Sequence, residues 1–258
     1  MTEHLTRLPS FSVDRPHPPL FIDEEKYNEL RSEVRKLGYP DELWQVCEQF
    51  AVPLFKGRPG FEHHTWAVVH WACVLADHEK KTEGGILLDP KILITAAILH
   101  DIGWVKLSGY QIDDSDQVLK SDAKKSHMQA GAGMARKFLS KVQKEGFLTV
   151  KQVDQIVYAI SVHDDKDVGA AGKFSEVYFL VAADTLGMMD LSFGKPSFAK
   201  EKLKDWCVNS MGGNKEERKA GLTPTKLGRW DIMPTVYAQK YYLELLNDLM
   251  DYIEKKEK

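Results

Sequence analysis

The sequence predicts an all-α protein. Apolar residues recur at helical spacing from Asp23 onward, no segment shows the alternating pattern of a paired strand, and Gly- or Pro-containing breaks separate the apolar segments. Helical patterns occur near residues 24–37, 41–55, 62–80, 90–102, 126–144, 149–163, 174–190, 197–209 and 235–256. We therefore expect a bundle of helices.

The breaks account for the connections between these helices in chain order. Turns are expected at 38–40, 56–60, 83–85, 168–172 and 212–213, where Gly or Pro interrupts the pattern. The stretch from Ser108 to Ser121 is polar and closely follows the segment 90–102. It forms either one wall of a pocket or a solvated connector.

The two ends of the chain differ from its body. Residues 1–22 contain four prolines between positions 9 and 19, which predicts an extended arm, and its two histidines, His4 and His17, are excluded from any site. Residues 23–258 are expected to form a single all-α domain. Within it, segment 235–256 is interpreted as a C-terminal helical extension docked on the core, with a homodimer interface as the alternative.

The charge balance limits the partners. The 258 residues include 35 Lys and Arg against 38 Asp and Glu, for a formal net charge of -3. The charges are mixed along the chain and leave no basic surface that could follow a phosphate backbone. Long nucleic acid is therefore not expected as a partner.

The cysteines and the apolar runs indicate the compartment. The three cysteines are far apart and lie in helical patterns, which suits reduced thiols better than disulfides. The N-terminus has no apolar signal core, and no later run is long enough to span a bilayer. A cytoplasmic location without membrane attachment is the expectation.

An adjacent imidazole and carboxylate, His100 and Asp101, end the apolar run Ile98-Leu99-His100-Asp101-Ile102-Gly103. Such a pair can hold a metal ion from one rigid point, although a buried His bonded to a neighbouring carboxylate is also a common structural arrangement. The surroundings of the pair decide between these interpretations.

Two other segments favour the metal. His64 begins a segment in which Val68, Ala72 and Ala76 mark a packed face, so its side chain can point into a site. Asp184 is the single carboxylate of the apolar stretch 177–187. Because an unpaired buried carboxylate is costly, it favours a nearby cation.

The ordered set His64, His100-Asp101 and Asp184 resembles the HD-domain superfamily, in which a His, an adjacent His-Asp and a distant Asp on different helices converge on one metal. The resemblance covers about residues 60–190 and includes the run Ala-Ala-Ile-Leu-His-Asp-Ile-Gly and the segment Ala-Asp-Thr-Leu. It implies an HD-domain helical bundle, with the arm and the C-terminal extension added to it. It also implies that His64, His100, Asp101 and Asp184 bind a divalent metal.

Two more histidines resemble the extra ligands of binuclear HD proteins. His127 and His163 lie between the His-Asp pair and Asp184 in matching contexts. The resemblance implies that they hold a second metal, with Asp101 bridging the two ions. Alternatively, either histidine bonds the substrate phosphate or transfers a proton. Asp101, His127 and His163 are therefore the candidate catalytic residues.

Other polar residues near the motifs are left out of the site. His63, His70 and His78 are interpreted as structural or exposed, because the spacing to the packed face after position 64 favours His64. The acidic residues after His163 are interpreted as a solvated turn. Many HD hydrolases carry a Lys directly after the His-Asp-Ile-Gly run, but this chain has Trp104 there. A catalytic lysine is therefore not transferred, and Trp104 either forms a wall of the pocket or stacks on a base.

This ligand set predicts a metal-dependent phosphohydrolase. Cations held by carboxylate and imidazole polarise a phosphoryl oxygen and lower the pKa of bound water, which is what phosphoester hydrolysis requires. The resemblance implies that the substrate is a nucleotide or another small phosphorylated metabolite. One or two ions of Mn, Fe, Co, Ni, Zn or Mg fit the ligand types.

Two other functions stay open at this stage. Some binuclear HD proteins hold two irons with the same ligand order and oxidise a small substrate with dioxygen. A non-catalytic nucleotide-binding module with a structural metal is the third interpretation. The ligand types alone do not separate these functions.

Overall fold

Every secondary-structure element among the described residues is helical, which confirms the all-α prediction. The computed structural model describes residues 22–55, 59–107, 117–165, 173–194, 207 and 233–255. The α-helices in these ranges are α1 (Glu24–Lys36), α2 (Asp41–Ala51), α3 (Pro59–Lys81), α4 (Pro90–Leu99), α5 (Gln117–Lys144), α6 (Val150–Val162), α7 (Ser175–Met189) and α8 (Val236–Lys255). Short 3₁₀ helices span Val52–Phe55, Ile102–Leu107 and Leu191–Phe193.

Several expectations fall outside the described residues. These are the Pro-rich arm up to residue 21, the stretch 108–116 of the predicted loop, and almost all of the helix predicted at 197–209. The single domain predicted over residues 23–258 therefore stays a prediction.

Local sequence signals set several helix starts. The side chain of Asp23 accepts a hydrogen bond from the Lys26 amide at 2.8 Å at the start of α1. Before α4, Asp89 caps the helix in the same way and Pro90 occupies its first position. At α6, Thr149 and Gln152 form a reciprocal capping box.

Two predicted boundaries were wrong, and both lie near the candidate site. α5 begins at Gln117 rather than at 126, because its polar first turns contain neither Gly nor Pro to stop a helix. The α-helical part of the segment 90–102 ends at Leu99, and the chain continues as the 3₁₀ helix Ile102–Leu107. The His-Asp pair therefore lies at the junction of two helix types.

The centre of the bundle consists of α3, α4 and α7. Every residue of α4 from Ile92 to Leu99 is buried, and α7 is buried on almost every side. α3 packs along α7, and α4 packs against both of them and against α6. A helix that is apolar all round belongs in the core, so α4 and α7, with α3 packed along α7, form a rigid frame for the polar side chains that they carry.

The remaining helices surround this centre. α5 packs on α6 and on the 3₁₀ helix Ile102–Leu107, and α1 packs on α3. α8 packs on α7 and buries Tyr242 and Leu249 completely, which confirms the C-terminal helix as a docked extension. None of the described helices is both long and apolar enough to cross a bilayer.

Candidate metal centre

Five helices bring the six predicted ligands together. His64 lies on α3, His127 on α5 and Asp184 on α7. His100 is the residue that follows α4, with Asp101 next to it, and His163 follows α6. All six side chains meet in one cluster, whose members are His64, His100, Asp101, His127, His163 and Asp184.

One half of the cluster, called here site A, contains His64, His100, Asp184 and one oxygen of Asp101. The Nε2 atoms of His64 and His100 are 3.3 Å apart. Asp184 Oδ1 lies 3.0 Å from His64 Nε2 and 3.7 Å from His100 Nε2. Asp101 Oδ2 lies 3.8 and 3.5 Å from the same two nitrogens. The ligand atoms of His64, His100 and Asp101 thus lie within 4.8 Å of one another, and Asp184 adds a carboxylate oxygen beside both histidines.

The other half, called site B, contains His127, His163 and the second oxygen of Asp101. The Nε2 atoms of His127 and His163 are 3.3 Å apart. Asp101 Oδ1 lies 3.5 Å from His127 Nε2 and 3.4 Å from His163 Nε2. Asp101 therefore directs one carboxylate oxygen to each histidine pair, which is the geometry of a bridging ligand.

The distances suit metal ions. Bonds of about 2.0–2.1 Å at tetrahedral or octahedral angles put neighbouring ligand atoms about 2.8–3.4 Å apart. The nitrogen and oxygen pairs described above are 3.0–3.8 Å apart. The donor atoms therefore lie close to where one ion in each half would require them.

Backbone carbonyls orient two of the rings. His100 Nδ1 donates to the Ala97 carbonyl and His163 Nδ1 donates to the Ile160 carbonyl, each at 2.8 Å. With the proton on Nδ1, the lone pair of Nε2 points into the cluster, which is the tautomer that a metal ligand needs. Both rings also lie at helix C-termini, where the helix dipole favours a cation.

Burial of the cluster makes its charged groups energetically unfavourable. Asp101 and Asp184 are 9% and 6% exposed, and His100 is fully buried. Every described ion pair of Asp101 is with a histidine. Two buried carboxylates among four imidazoles favour bound cations, because imidazole is not fully charged at neutral pH.

The pKa values of three groups reflect both the burial of the cluster and its opposing charges. Burial opposes the charged ring of His100, but the carboxylates of Asp101 and Asp184 outweigh it and raise the pKa of His100 to about 9. Burial likewise opposes the Asp101 carboxylate, yet the surrounding histidines, led by His100, hold its pKa well below the usual range. Burial lowers the pKa of His127 to about 4. Without a metal, the cluster thus keeps a proton on His100 and none on His127 at neutral pH.

Two glycines permit the close approach of the helices. A Cβ on Gly103 would clash with the carbonyl of His127 and the amide of Gly131, so the 3₁₀ helix lies directly against α5. A Cβ on Gly187 would lie 2.9 Å from Val68 Cγ2 and 3.0 Å from the Val68 amide. Sequence reasoning did not assign these roles. The sequence did contain a signal for Gly187. A Gly inside a helical pattern destabilises the helix, so its presence there suggests that close packing requires it.

The remaining histidines have other surroundings. His70 Nδ1 lies 2.8 Å from Glu33 Oε2, and the ring of His78 stacks on Tyr237 at a centroid distance of 3.5 Å. His63 lies against Gly194, where an added Cβ would come within 2.5 Å of its Nδ1. The described contacts of these rings are therefore with residues outside sites A and B.

Trp104, which stands where many HD hydrolases have a lysine, belongs to the surroundings of site B. Its indole Nε1 donates to Asp101 Oδ1 at 3.1 Å. Its ring also stacks on His127 with a centroid distance of 4.2 Å and an angle of 12° between the planes. Trp104 thus contacts the ligands themselves, a role that the sequence did not predict.

Comparison with known proteins gives one match. The family model of the HD domain matches residues 61–192, which are 132 of the 258 residues and agree with the range expected from the motifs. No match was found among curated proteins or among solved structures. The matched range contains all six residues of the cluster. The chain therefore belongs to the HD domain family.

Proposed function

We propose that the protein is a phosphohydrolase with two metal ions, which cleaves a phosphoester of a nucleotide or another small phosphorylated metabolite. HD domains are generally metal-dependent phosphohydrolases. The observation that carries the proposal for this chain is the position of Asp101, whose two oxygens face separate histidine pairs. A carboxylate between two donor sets can hold two ions close together, and a pair of ions can stabilise both the attacking and the leaving oxygen in a displacement at phosphorus.

The residues divide between the two ions as follows. His64, His100, Asp184 and Oδ2 of Asp101 would hold the ion in site A. His127, His163 and Oδ1 of Asp101 would hold the ion in site B. Imidazole and carboxylate ligands suit Mn, Fe, Co, Ni and Zn, while Mg is less suited because it prefers oxygen.

Bound metal would supply Lewis acidity toward the phosphoryl oxygen and toward water, and would offset charge on the leaving oxygen. The chain's own residues keep this chemistry in place. The carbonyl bonds of His100 and His163 hold their rings rigid. Asp101 would act as the ligand shared by both ions, and the low pKa of its carboxyl keeps it charged for that role. If site B holds no ion, His163 would transfer the proton to the leaving group, because the pKa of His127 is lowered to about 4 and leaves that ring neutral.

The size of the substrate follows from the exposure of the centre. Asp101 and Asp184 are almost buried, so a phosphoryl group at the end of a small molecule can reach them more easily than the backbone of a long polymer can.

A cytoplasmic location is part of the proposal. It is supported by three free cysteines, Cys47, Cys73 and Cys207, which are all buried thiols.

The test combines two measurements on gently purified full-length protein. Elemental analysis gives the metal content, and an anaerobic screen over nucleotides and small phosphoesters records phosphate release. About two ions per chain, with release that is lost in Asp101→Asn, would support the proposal.

Two other results would contradict it. Two irons, no phosphate release and substrate-dependent oxygen consumption would indicate a di-iron oxygenase. Tight nucleotide binding with no turnover under any metal would indicate a binding module.

A further inference from the structure

Trp104 makes two different contacts with site B. Its N–H donates to Asp101 Oδ1, the same oxygen that lies 3.5 Å from His127 Nε2 and 3.4 Å from His163 Nε2. Its ring plane lies almost parallel to that of His127. One side chain therefore contacts two of the three residues that form this half of the centre.

The backbone fixes where the indole lies. The amide of Trp104 donates to the Asp101 carbonyl at 3.1 Å, at the start of the 3₁₀ helix. Side chains three residues apart eclipse one another in a 3₁₀ helix, so the indole lies directly over the carboxylate. Gly103 has no Cβ to separate this helix from α5, and the indole therefore reaches the His127 ring.

His127 differs from His100 and His163 in how the backbone holds its ring. The rings of His100 and His163 are each held by a backbone carbonyl. His127 Nδ1 is buried, and the Ala123 carbonyl acts on the pKa of the ring without meeting Nδ1 in the geometry of those two bonds. Rotation about the last side-chain torsion of His and Asp is soft. The stacked ring of Trp104 restricts this rotation in His127, and the hydrogen bond from its N–H restricts it in Asp101.

We infer that Trp104 is a positioning residue for the site B metal: its N–H directs Oδ1 of Asp101 toward the two histidines, and its ring fixes the plane of His127. This inference rests on the proposed function, because it requires an ion in each half of the centre. A neutral donor is suited to this position, since it orients the bridging carboxylate without adding a positive charge beside the second cation.

The test is a Co²⁺ titration of the metal-free full-length chain, followed by calorimetry and by the visible absorption of bound Co²⁺. Trp104→Phe keeps an aromatic ring on His127 and removes the N–H, whereas Trp104→Leu removes both contacts. The matched control is Trp71→Phe, because the Trp71 indole donates to Asp190 at 3.0 Å, outside the centre. Circular dichroism and the melting temperature report folding.

Loss of a contact behind a ligand typically weakens metal binding about 10–100-fold. We expect the Kd of the second Co²⁺ to rise about tenfold in Trp104→Phe and closer to a hundredfold in Trp104→Leu. The absorption bands of that ion should change in both variants. The first Co²⁺ should bind nearly as in the wild type, and Trp71→Phe should leave both ions unaffected.

Three outcomes are informative in other ways. If Trp104→Leu keeps both wild-type Kd values, the inference is wrong while the proposed function stands. If Trp104→Leu does not fold, Trp104→Phe decides, and an unchanged second Kd there overturns the inference. If the wild type itself binds a single Co²⁺, the proposed two-metal function fails before any variant is compared.

Discussion

Asp184 Oδ1 lies 3.0 Å from His64 Nε2, although 120 residues separate the two in the chain. The distance is set where α7 crosses α3. Gly187, one turn after Asp184, lies against Val68, one turn after His64. The close approach of two backbones thus joins the first and the last ligand of site A.

Replacing Gly187 with Ala should separate these two ligands. The added methyl would press on the Val68 amide at 3.0 Å, and backbone cannot rotate away as a side chain can. We expect the free energy of unfolding to fall by about 1–3 kcal/mol, together with weaker binding of the site A metal. Denaturant unfolding and metal titration measure the two effects.

The control for that substitution is Gly133→Ala. Gly133 is also a helical glycine, on the exposed side of α5, and no described atom lies within 4 Å of its added Cβ. We expect a gain in stability of up to about 1 kcal/mol from helix propensity alone. If both variants behaved alike, the packing of α7 on α3 would not be what positions Asp184.

Asp101 should affect both metals, whereas His163 should affect one. We expect Asp101→Asn to lose both ions, because an amide is a weaker ligand and cannot bridge with two charged oxygens. His163→Ala should keep the site A ion. Loss of the metals should reduce turnover about a hundredfold or more, since they are expected to contribute several kcal/mol of transition-state stabilisation. Elemental analysis and phosphate release on the same samples would measure this. Two bound ions in Asp101→Asn would exclude Asp101 as the bridge.

Much of the fold could be predicted from the sequence because local signals decide it. The capping box of Thr149 and Gln152 starts α6 within one residue of the predicted position. α7 agrees as closely, because a continuous apolar run is bounded by polar residues. α5 was predicted too short, since its polar first turns resemble a loop when the only criterion is apolar spacing.

Only part of the candidate site could be predicted from the sequence. The identities of the six clustered residues could be expected from their order and local contexts. The contacts of Trp104 could not, because they depend on the chain changing from an α-helix to a 3₁₀ helix after Asp101 and on the fit of Gly103 against α5. The high pKa of His100 was equally out of reach, since it depends on two carboxylates that are distant from each other in sequence.

Metal binding should release a proton from His100. In the metal-free protein the pKa of this ring is raised to about 9, so at pH 7 it is protonated and must lose its proton before Nε2 can bind a metal. We expect about one proton from His100 for the site A ion at pH 7 and about half a proton at pH 9. Apparent affinity should rise about tenfold per pH unit between these values. Calorimetry in buffers of different ionisation enthalpy gives the proton count.

His127 provides the contrast for this measurement. Its pKa is lowered to about 4, so it is neutral at pH 7 and has no proton to release. His127→Ala should therefore leave the proton count of the site A ion unchanged. A count near zero in the wild type at pH 7 would show that the carboxylates do not keep His100 charged.

The adjacent histidines His63 and His64 should differ in their effect on the metal. His64 Nε2 faces His100 and Asp184, whereas His63 lies against Gly194, at the end of the 3₁₀ helix Leu191–Phe193. We expect His64→Ala to lose the site A ion and most of the turnover. His63→Ala should keep both, with a cost in stability of about 1 kcal/mol. The measurement is the metal content of the two variants, purified in parallel. If His63→Ala lost the ion and His64→Ala kept it, His63 would be the ligand instead of His64.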